Sequence, residues 1–163
     1  MSVASHNRPS TITLALPDEA ATLALGRALA AGLRPGAIVH LSGPLGAGKT
    51  TLARGLLAAL GHTGPVRSPT WTVVEPYTVS KLDLYHIDFY RFAGSSEASD
   101  SGLREYFDGR SVCLIEWPEL AGGAAGVPDL LIELSPADQG RSARITACSE
   151  SALDWLHRLD RPD

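Results

Sequence analysis

Residues 37–51 read Ala37-Ile-Val-His-Leu41-Ser-Gly43-Pro-Leu-Gly-Ala-Gly48-Lys49-Thr50-Thr51, and this stretch decides the fold. Its first five residues are a short apolar run of the kind that fills a buried central strand. Gly43 to Gly48 is a glycine-rich turn. A helix is predicted from about Lys49 to Leu60, where Gly61 stops it. The pattern Gly-x₄-Gly-Lys-[Ser/Thr] therefore stands between a strand and a helix, the context that a phosphate-binding loop requires. Glycines allow successive amide N–H groups to converge on one anion-sized cavity, and the helix start adds a positive field. Lys49 is placed to reach β and γ phosphates, and the Thr50 hydroxyl to ligate Mg²⁺. A dinucleotide fingerprint would need Gly-x-Gly-x-x-Gly, which is absent. The plain alternative is a strand–turn–helix corner whose Gly-Lys-Thr is accidental.

Upstream, Thr11-Ile-Thr-Leu-Ala-Leu16 alternates like a short strand. Pro17-Asp18-Glu19 opens an Ala/Leu-rich helix with acids suited to its first turn. Leu23, Leu25, Leu29 and Leu33 give it an apolar stripe, and Gly32 and Pro35-Gly36 end it. Downstream, a loop spans His62 to Thr70. Strand composition follows in Trp71–Glu75 and Leu82–Tyr90, whose short connection predicts an antiparallel hairpin. Residues 93–102 are polar and serine-rich, which predicts a mobile loop. A helical turn near Leu103–Phe107, a buried strand Ser111–Ile115 and a Gly/Ala-rich loop 121–126 come next. Strands near Leu130–Leu134 and Ala143–Ala147 and a helix Ala152–Leu159 complete the series. The order predicts a P-loop NTPase-like three-layer α/β sandwich, its mixed central sheet including the hairpin.

The chain has 163 residues, enough for one domain over 1–163, with residues 1–10 expected to be flexible. Apolar residues make up 44% and charged ones 20%, the balance of a globular protein. The 16 glycines and 11 prolines, about a sixth of the chain, exceed the usual share and argue for many turns. Net charge is −4, from 14 basic and 18 acidic side chains. That excludes a chain gripping nucleic acid unaided, since phosphate contacts demand a basic footprint. Of the basic residues 12 are Arg and only two, Lys49 and Lys81, are Lys. Cys113 and Cys148 sit in apolar stretches and read as small buried hydrophobes, so a reducing cytoplasm is expected. No apolar run reaches the roughly 18 residues of a membrane helix, so no membrane partner is expected.

A P-loop nucleotidase also needs an acid at a neighbouring strand end to hold the magnesium shell. Val112-Cys-Leu-Ile115 runs into Glu116, so this carboxylate stands where a buried strand emerges. Alternation along Leu82–Tyr90 puts His86 and Asp88 on one face. The plain alternatives are a strand-end carboxylate facing water for Glu116, and a structural hydrogen bond to His86 or a loop for Asp88.

Taken in order, Gly46-Ala-Gly-Lys-Thr-Thr51, Ser68-Pro-Thr-Trp71, His86-Ile-Asp-Phe-Tyr-Arg91 and Glu116-Trp-Pro118 closely resemble the TsaE (formerly YjeE) family. That family is the ATPase component of bacterial tRNA threonylcarbamoyladenosine biosynthesis. The resemblance runs from Pro17-Asp-Glu-Ala20 to Gly140-Arg141, and Trp71 stands where the family more often has Phe or Tyr. It implies ATP and Mg²⁺ as cofactors. Leu45, Gly46, Ala47, Gly48, Lys49, Thr50 and Thr51 would bind the ATP phosphates, and Thr50 and Glu116 the metal. Ser68 and Thr70 would form a switch loop sensing the γ-phosphate. Asp88, Lys49 and Glu116 would be catalytic, with Asp88 orienting water. Glu19, Gly140 and Arg141 would flank the base and sugar. Trp117 would pack beside the nucleotide or a partner, with a core position as the alternative.

The resemblance further implies that hydrolysis supports turnover of a TsaB–TsaD complex, and that tRNA is met only through those partners. No arginine is placed by sequence as an obvious finger, which leaves Arg67, Arg91 and Arg141 open. Hydrolysis is expected to be slow for the chain alone. Two rival readings remain on the residues. A small-molecule P-loop kinase would need an arginine-bearing lid, and 93–102 has no arginine. A nucleotide-gated binding module would hydrolyse little ATP.

Overall fold

In a computed structural model the described residues are 10–69, 73–92 and 102–160. The expected flexible start (residues 1–9), Thr70, Trp71 and most of the serine-rich loop (93–101) lie outside them. Strand β1 (Thr11–Leu16) leads to Asp18, whose side chain accepts a hydrogen bond from the Ala21 N–H at 2.8 Å and so caps α1 (Glu19–Ala30). Next come β2 (Ile38–Ser42) and α2 (Lys49–Ala59) on either side of the glycine loop. Strands β3 (Val74–Val79) and β4 (Leu82–Asp88) form the hairpin, turning at Ser80 and Lys81, both with positive φ. They are followed by β5 (Val112–Glu116), β6 (Leu130–Pro136), β7 (Arg141–Ala147) and α3 (Glu150–Leu159).

The seven strands make one sheet in the order β1-β7-β6-β2-β5-β4-β3. Its middle, β6-β2-β5-β4, is parallel; β3 on one side and β7 on the other run against it, and β1, antiparallel to β7, runs with the middle again. Alternation sorts the parallel strands into two cores. Val39, Leu41, Leu84, Val112, Leu114, Leu130 and Ile132 face Leu25 and Leu29 of α1, Leu52, Leu56 and Leu57 of α2, and Trp155 and Leu156 of α3. Ile87, Cys113 and Ile115 face the other way, onto Phe89, Leu103, Ala121, Ala124 and Ala125. The third layer is therefore made of loops and short 3₁₀ turns at Leu103–Tyr106 and Pro118–Leu120.

Helices α1 and α2 cross at Gly26, where a Cβ would collide with the Leu52 carbonyl oxygen and the Leu56 amide. Trp155 fixes α3 to this pair by donating its Nε1–H to the Leu29 carbonyl at 3.0 Å.

Three expectations need correction. The first hairpin strand is Val74–Val79 rather than Trp71–Glu75. It continues through Pro76 because β3 is an edge strand, whose outer side needs no ladder N–H. Strand β4 ends at Asp88 rather than Tyr90, since the Tyr90 N–H turns back onto Oδ1 of Asp88 at 2.8 Å and a 3₁₀ turn begins. Cys113 is buried as expected, but Cys148 is exposed, one residue past the end of β7.

Candidate functional site

Register decides what stands at the carboxyl edge of the sheet. Leu41 of β2 pairs with Glu116 of β5, and Glu116 pairs with Asp88 of β4. The three lie in one row, on the face covered by α2, one step below the glycine loop. Open α/β sheets bind their ligands just outside this edge.

The loop leaves β2 at Gly43 and enters α2 at Gly48, whose φ of 103° and ψ of 15° are left-handed. An L side chain there would be strained, and its Cβ would also collide with Nη1 of Arg141. The amides at this helix start have no side-chain cap, so they stay available to an anion.

A cavity of about 240 Å³ opens over the loop. It is lined by Leu45, Gly46, Ala47, Gly48, Lys49, Thr50 and Thr51, and by Ser68, Asp88, Glu116, Trp117 and Arg141 from elsewhere in the chain. Asp88 and Glu116 are almost completely buried, at 2% exposure each. A second cavity of similar size lies at the far end of α1, between the 31–37 connection and α3, and shares no residue with the loop.

Two cations, Lys49 and Arg141, line the cavity. Lys49 is 5% exposed, and its Nζ donates to the Gly43 carbonyl at 2.6 Å. The same ammonium lies 3.7 Å from the centre of the Trp117 ring, a cation–π contact. Burial pushes its pKa below the ordinary 10.5, against the opposing pull of Glu116, Asp88 and Glu119. Nη1 of Arg141 is buried with no hydrogen-bond partner among the described residues. A buried, unpaired donor on a charged group is costly. It faces the loop glycines, where an anion would satisfy it.

Trp117 follows Glu116 with φ 56° and ψ 48°, a left-handed conformation rare for so bulky a residue. That turn swings its ring over Lys49 and against Tyr90, with centroids 5.2 Å apart. The ring thus forms part of the cavity wall while also packing against the edge of the core around Ile87, Phe89 and Ile115.

Two of the sequence candidates stand apart. Glu19 is exposed at the start of α1 and pairs with Arg54 of α2 at 3.7 Å, outside the cavity lining. Gly140 forms the turn before β7, pressed against the carbonyls of Leu16 and Pro17, and does not line the cavity. Its neighbour Arg141, the first residue of β7, does. Thr70 lies outside the described residues. Sequence reasoning missed the partner of His86, whose Nε2 lies 2.7 Å from Oε2 of Glu116. The signal was available in part, since His86 and Asp88 share a face, but the neighbouring strand had to be known.

A glycine loop of this spacing at a helix start, standing at the carboxyl edge of a mixed sheet with a parallel middle, places the chain in the P-loop class of α/β proteins. Comparison with known proteins narrows this. Residues 16–145 match the family described as "Threonylcarbamoyl adenosine biosynthesis protein TsaE". The "tRNA threonylcarbamoyladenosine biosynthesis protein TsaE" of Bacillus subtilis is 47% identical over 148 residues, covering 90% of this chain and 91% of that protein. Its namesake in Haemophilus influenzae is 40% identical over 142 residues, covering 84% and 90%. The crystal structure of Bacillus subtilis YdiB superposes with a TM-score of 0.79 at 32% identity, covering 93% of this chain and 95% of that one. The chain belongs to the TsaE family.

Proposed function

We propose that this chain binds and hydrolyses ATP with Mg²⁺ as the ATPase of tRNA threonylcarbamoyladenosine biosynthesis, supporting turnover of a TsaB–TsaD complex. The observation that carries the reading is the cavity itself. It gathers the glycine loop, two buried carboxylates, the Lys49 ammonium and the Arg141 guanidinium with its unpaired Nη1, in a chain of the TsaE family.

The residues fit the cofactors on chemical grounds. Nη1 of Arg141 lacks a partner that a phosphate oxygen would supply, and Lys49 can exchange the Gly43 carbonyl for another. Asp88 and Glu116 would repel the same phosphates unless a divalent ion stood between them. The Thr50 hydroxyl and Glu116 are hard oxygen donors suited to Mg²⁺, with phosphate oxygens and water filling the remaining positions. Among the described residues no group of three or more His, Cys, Asp or Glu could hold a metal alone. Held there by Thr50 and Glu116, Mg²⁺ would neutralise charge that develops on the phosphates.

The protein's own work is then positioning. Loop amides and Lys49 fix the β and γ phosphates, and Lys49 leaves the Gly43 carbonyl to do so. Arg141 lies against Gly48, so we assign it to the phosphate tail rather than to the base and sugar. Oδ1 of Asp88 is fixed by the Tyr90 N–H, which keeps this carboxylate in one orientation at the strand end, ready to hold the attacking water and accept its proton. Ser68, which lines the cavity, would sense the γ-phosphate. Glu19 is left as a candidate for the nucleoside side, beyond the cavity.

The net charge of −4 leaves tRNA contact to the partner proteins. Two free thiols fit a cytoplasmic location, and among the described residues no helix is long and apolar enough to cross a membrane. The test is ATP turnover by the chain alone, then with TsaB, TsaD and tRNA. Turnover is expected to be slow alone and to rise when the partners complete the site. Full-speed turnover by the isolated chain, or a phosphorylated small molecule as product, would overturn the proposal.

A further inference from the structure

His86 is fully buried in β4, at 0% exposure, and the functional reading above gives it no task. Its ring reaches diagonally across the sheet. Register pairs His86 with Leu114 and Asp88 with Glu116, yet Nε2 of His86 lies 2.7 Å from Oε2 of Glu116. The other ring nitrogen, Nδ1, is buried and has no hydrogen-bond partner among the described residues. These two facts assign the tautomer. A hydrogen on Nε2 gives the carboxylate a donor. A hydrogen on Nδ1 would strand a buried N–H and set an imidazole lone pair against a carboxylate oxygen.

We infer that His86 is a positioning residue for the magnesium-binding carboxylate: its Nε2–H pins Oε2 of Glu116 and thereby turns Oε1 toward the cavity shared with Thr50. The inference rests on the proposed metal role of Glu116 and deepens it. A glutamate has one more rotatable bond than the aspartate usual at such a strand end, so its head needs an external hold. A competing hold is near. Glu116 acts on the buried Lys49 ammonium through space, yet among the described residues no ion pair joins the two. Released from His86, Glu116 would swing toward Lys49 and neutralise the cation that the phosphates require. Thus one hydrogen bond keeps a metal ligand and a phosphate ligand apart. Partners of this kind, one shell outside a metal, typically govern about 10–100-fold in metal affinity.

The test compares His86→Leu, His86→Asn and His86→Gln with the parent. The Gln amide nitrogen can reach the place of the ring Nε2, whereas the Asn amide stops nearer Nδ1. Binding of a fluorescent ADP analogue is measured in EDTA and across a Mg²⁺ titration, with thermal melting as a check on folding. Half-saturating Mg²⁺ is expected to rise about 10–100-fold in His86→Leu and His86→Asn, with nucleotide affinity in EDTA falling by a smaller factor as Glu116 approaches Lys49, and both restored in His86→Gln. Should His86→Leu fail to fold, the Asn and Gln pair decides. Parent-like Mg²⁺ dependence in the Asn variant, an equal loss with and without metal, or a Gln variant no better than Asn would overturn the inference. No Mg²⁺ effect in the parent itself would instead overturn the metal role of Glu116.

Discussion

Gly48→Ala is the most instructive change at the phosphate loop, because it should affect stability and binding through separate causes. At φ 103° and ψ 15° the backbone is left-handed, which costs an L residue about 1–2 kcal/mol. For a chain of this size each kcal/mol lowers the melting temperature by about 2–4 °C, so the drop should be about 2–8 °C. The new Cβ would also collide with Nη1 of Arg141. An arginine tip can swing aside at small cost in stability, but it then leaves the cavity. A hydrogen bond from a charged group contributes about 1.5–3 kcal/mol. Its loss should weaken Mg²⁺–nucleotide binding about 10–150-fold, at 1.4 kcal/mol per tenfold.

A double-mutant cycle with Arg141→Ala separates the two causes, using calorimetric titration for affinity and thermal melting for stability. The affinity losses should fail to add, since both changes remove the same guanidinium, while the backbone strain persists in the double mutant. Additive affinity losses, or parent-like binding by Gly48→Ala, would refute the placement of Arg141 against the phosphates.

Lys49 gives a pH signature. Its folded pKa is lowered by burial from 10.5, so in the interval just below 10.5 the unfolded chain binds more protons than the folded one. Stability from this group therefore rises with pH across that interval, and the rise should vanish in Lys49→Met when urea midpoints are compared. Nucleotide affinity should fall over the same interval, because the phosphates require the charged form. Gly26→Ala tests the helix crossing by sign: helix propensity alone would stabilise it by about 0.5–1 kcal/mol. Collision with the Leu52 carbonyl should instead destabilise it by about 1–3 kcal/mol, read as a lower urea midpoint. Burial pushes the Cys113 thiol up to about 12, so a thiol reagent near neutral pH should modify only the exposed Cys148 in the native protein and both cysteines after unfolding.

Much of this site is local in the chain, and that is why it could be read there. The apolar run before Gly43, the glycine spacing and the helix after Lys49 interact with their own neighbours. Parity along Leu82–Asp88 sufficed to put His86 and Asp88 on one face, and the emergence of Glu116 from a buried strand put it at an edge. What stayed hidden depends on which strands are neighbours. The His86–Glu116 bond exists because β4 and β5 are adjacent and parallel, which no spacing reveals. Arg141 reaches Gly48 across β7 and β6, although 92 residues of chain lie between them. Pro76 is harmless inside β3 only because that strand lies at the sheet edge. The left-handed turn that sets Trp117 over Lys49 has no sequence signature, since nothing in Glu116-Trp-Pro118 demands a positive φ. Glu19 and Gly140 fall outside the cavity lining, Glu19 paired with Arg54 and Gly140 against the Leu16 and Pro17 carbonyls, contacts that no sequence spacing reveals.

A crystal grown with Mg²⁺ and a non-hydrolysable ATP analogue tests the central claim most directly. A triphosphate tail is expected to be wrapped by the amides of residues 45–50, with Arg141 Nη1 on a phosphate oxygen and the metal held by Thr50 and Glu116. A saturating analogue bound elsewhere, or a loop left empty with Lys49 still on the Gly43 carbonyl, would contradict it.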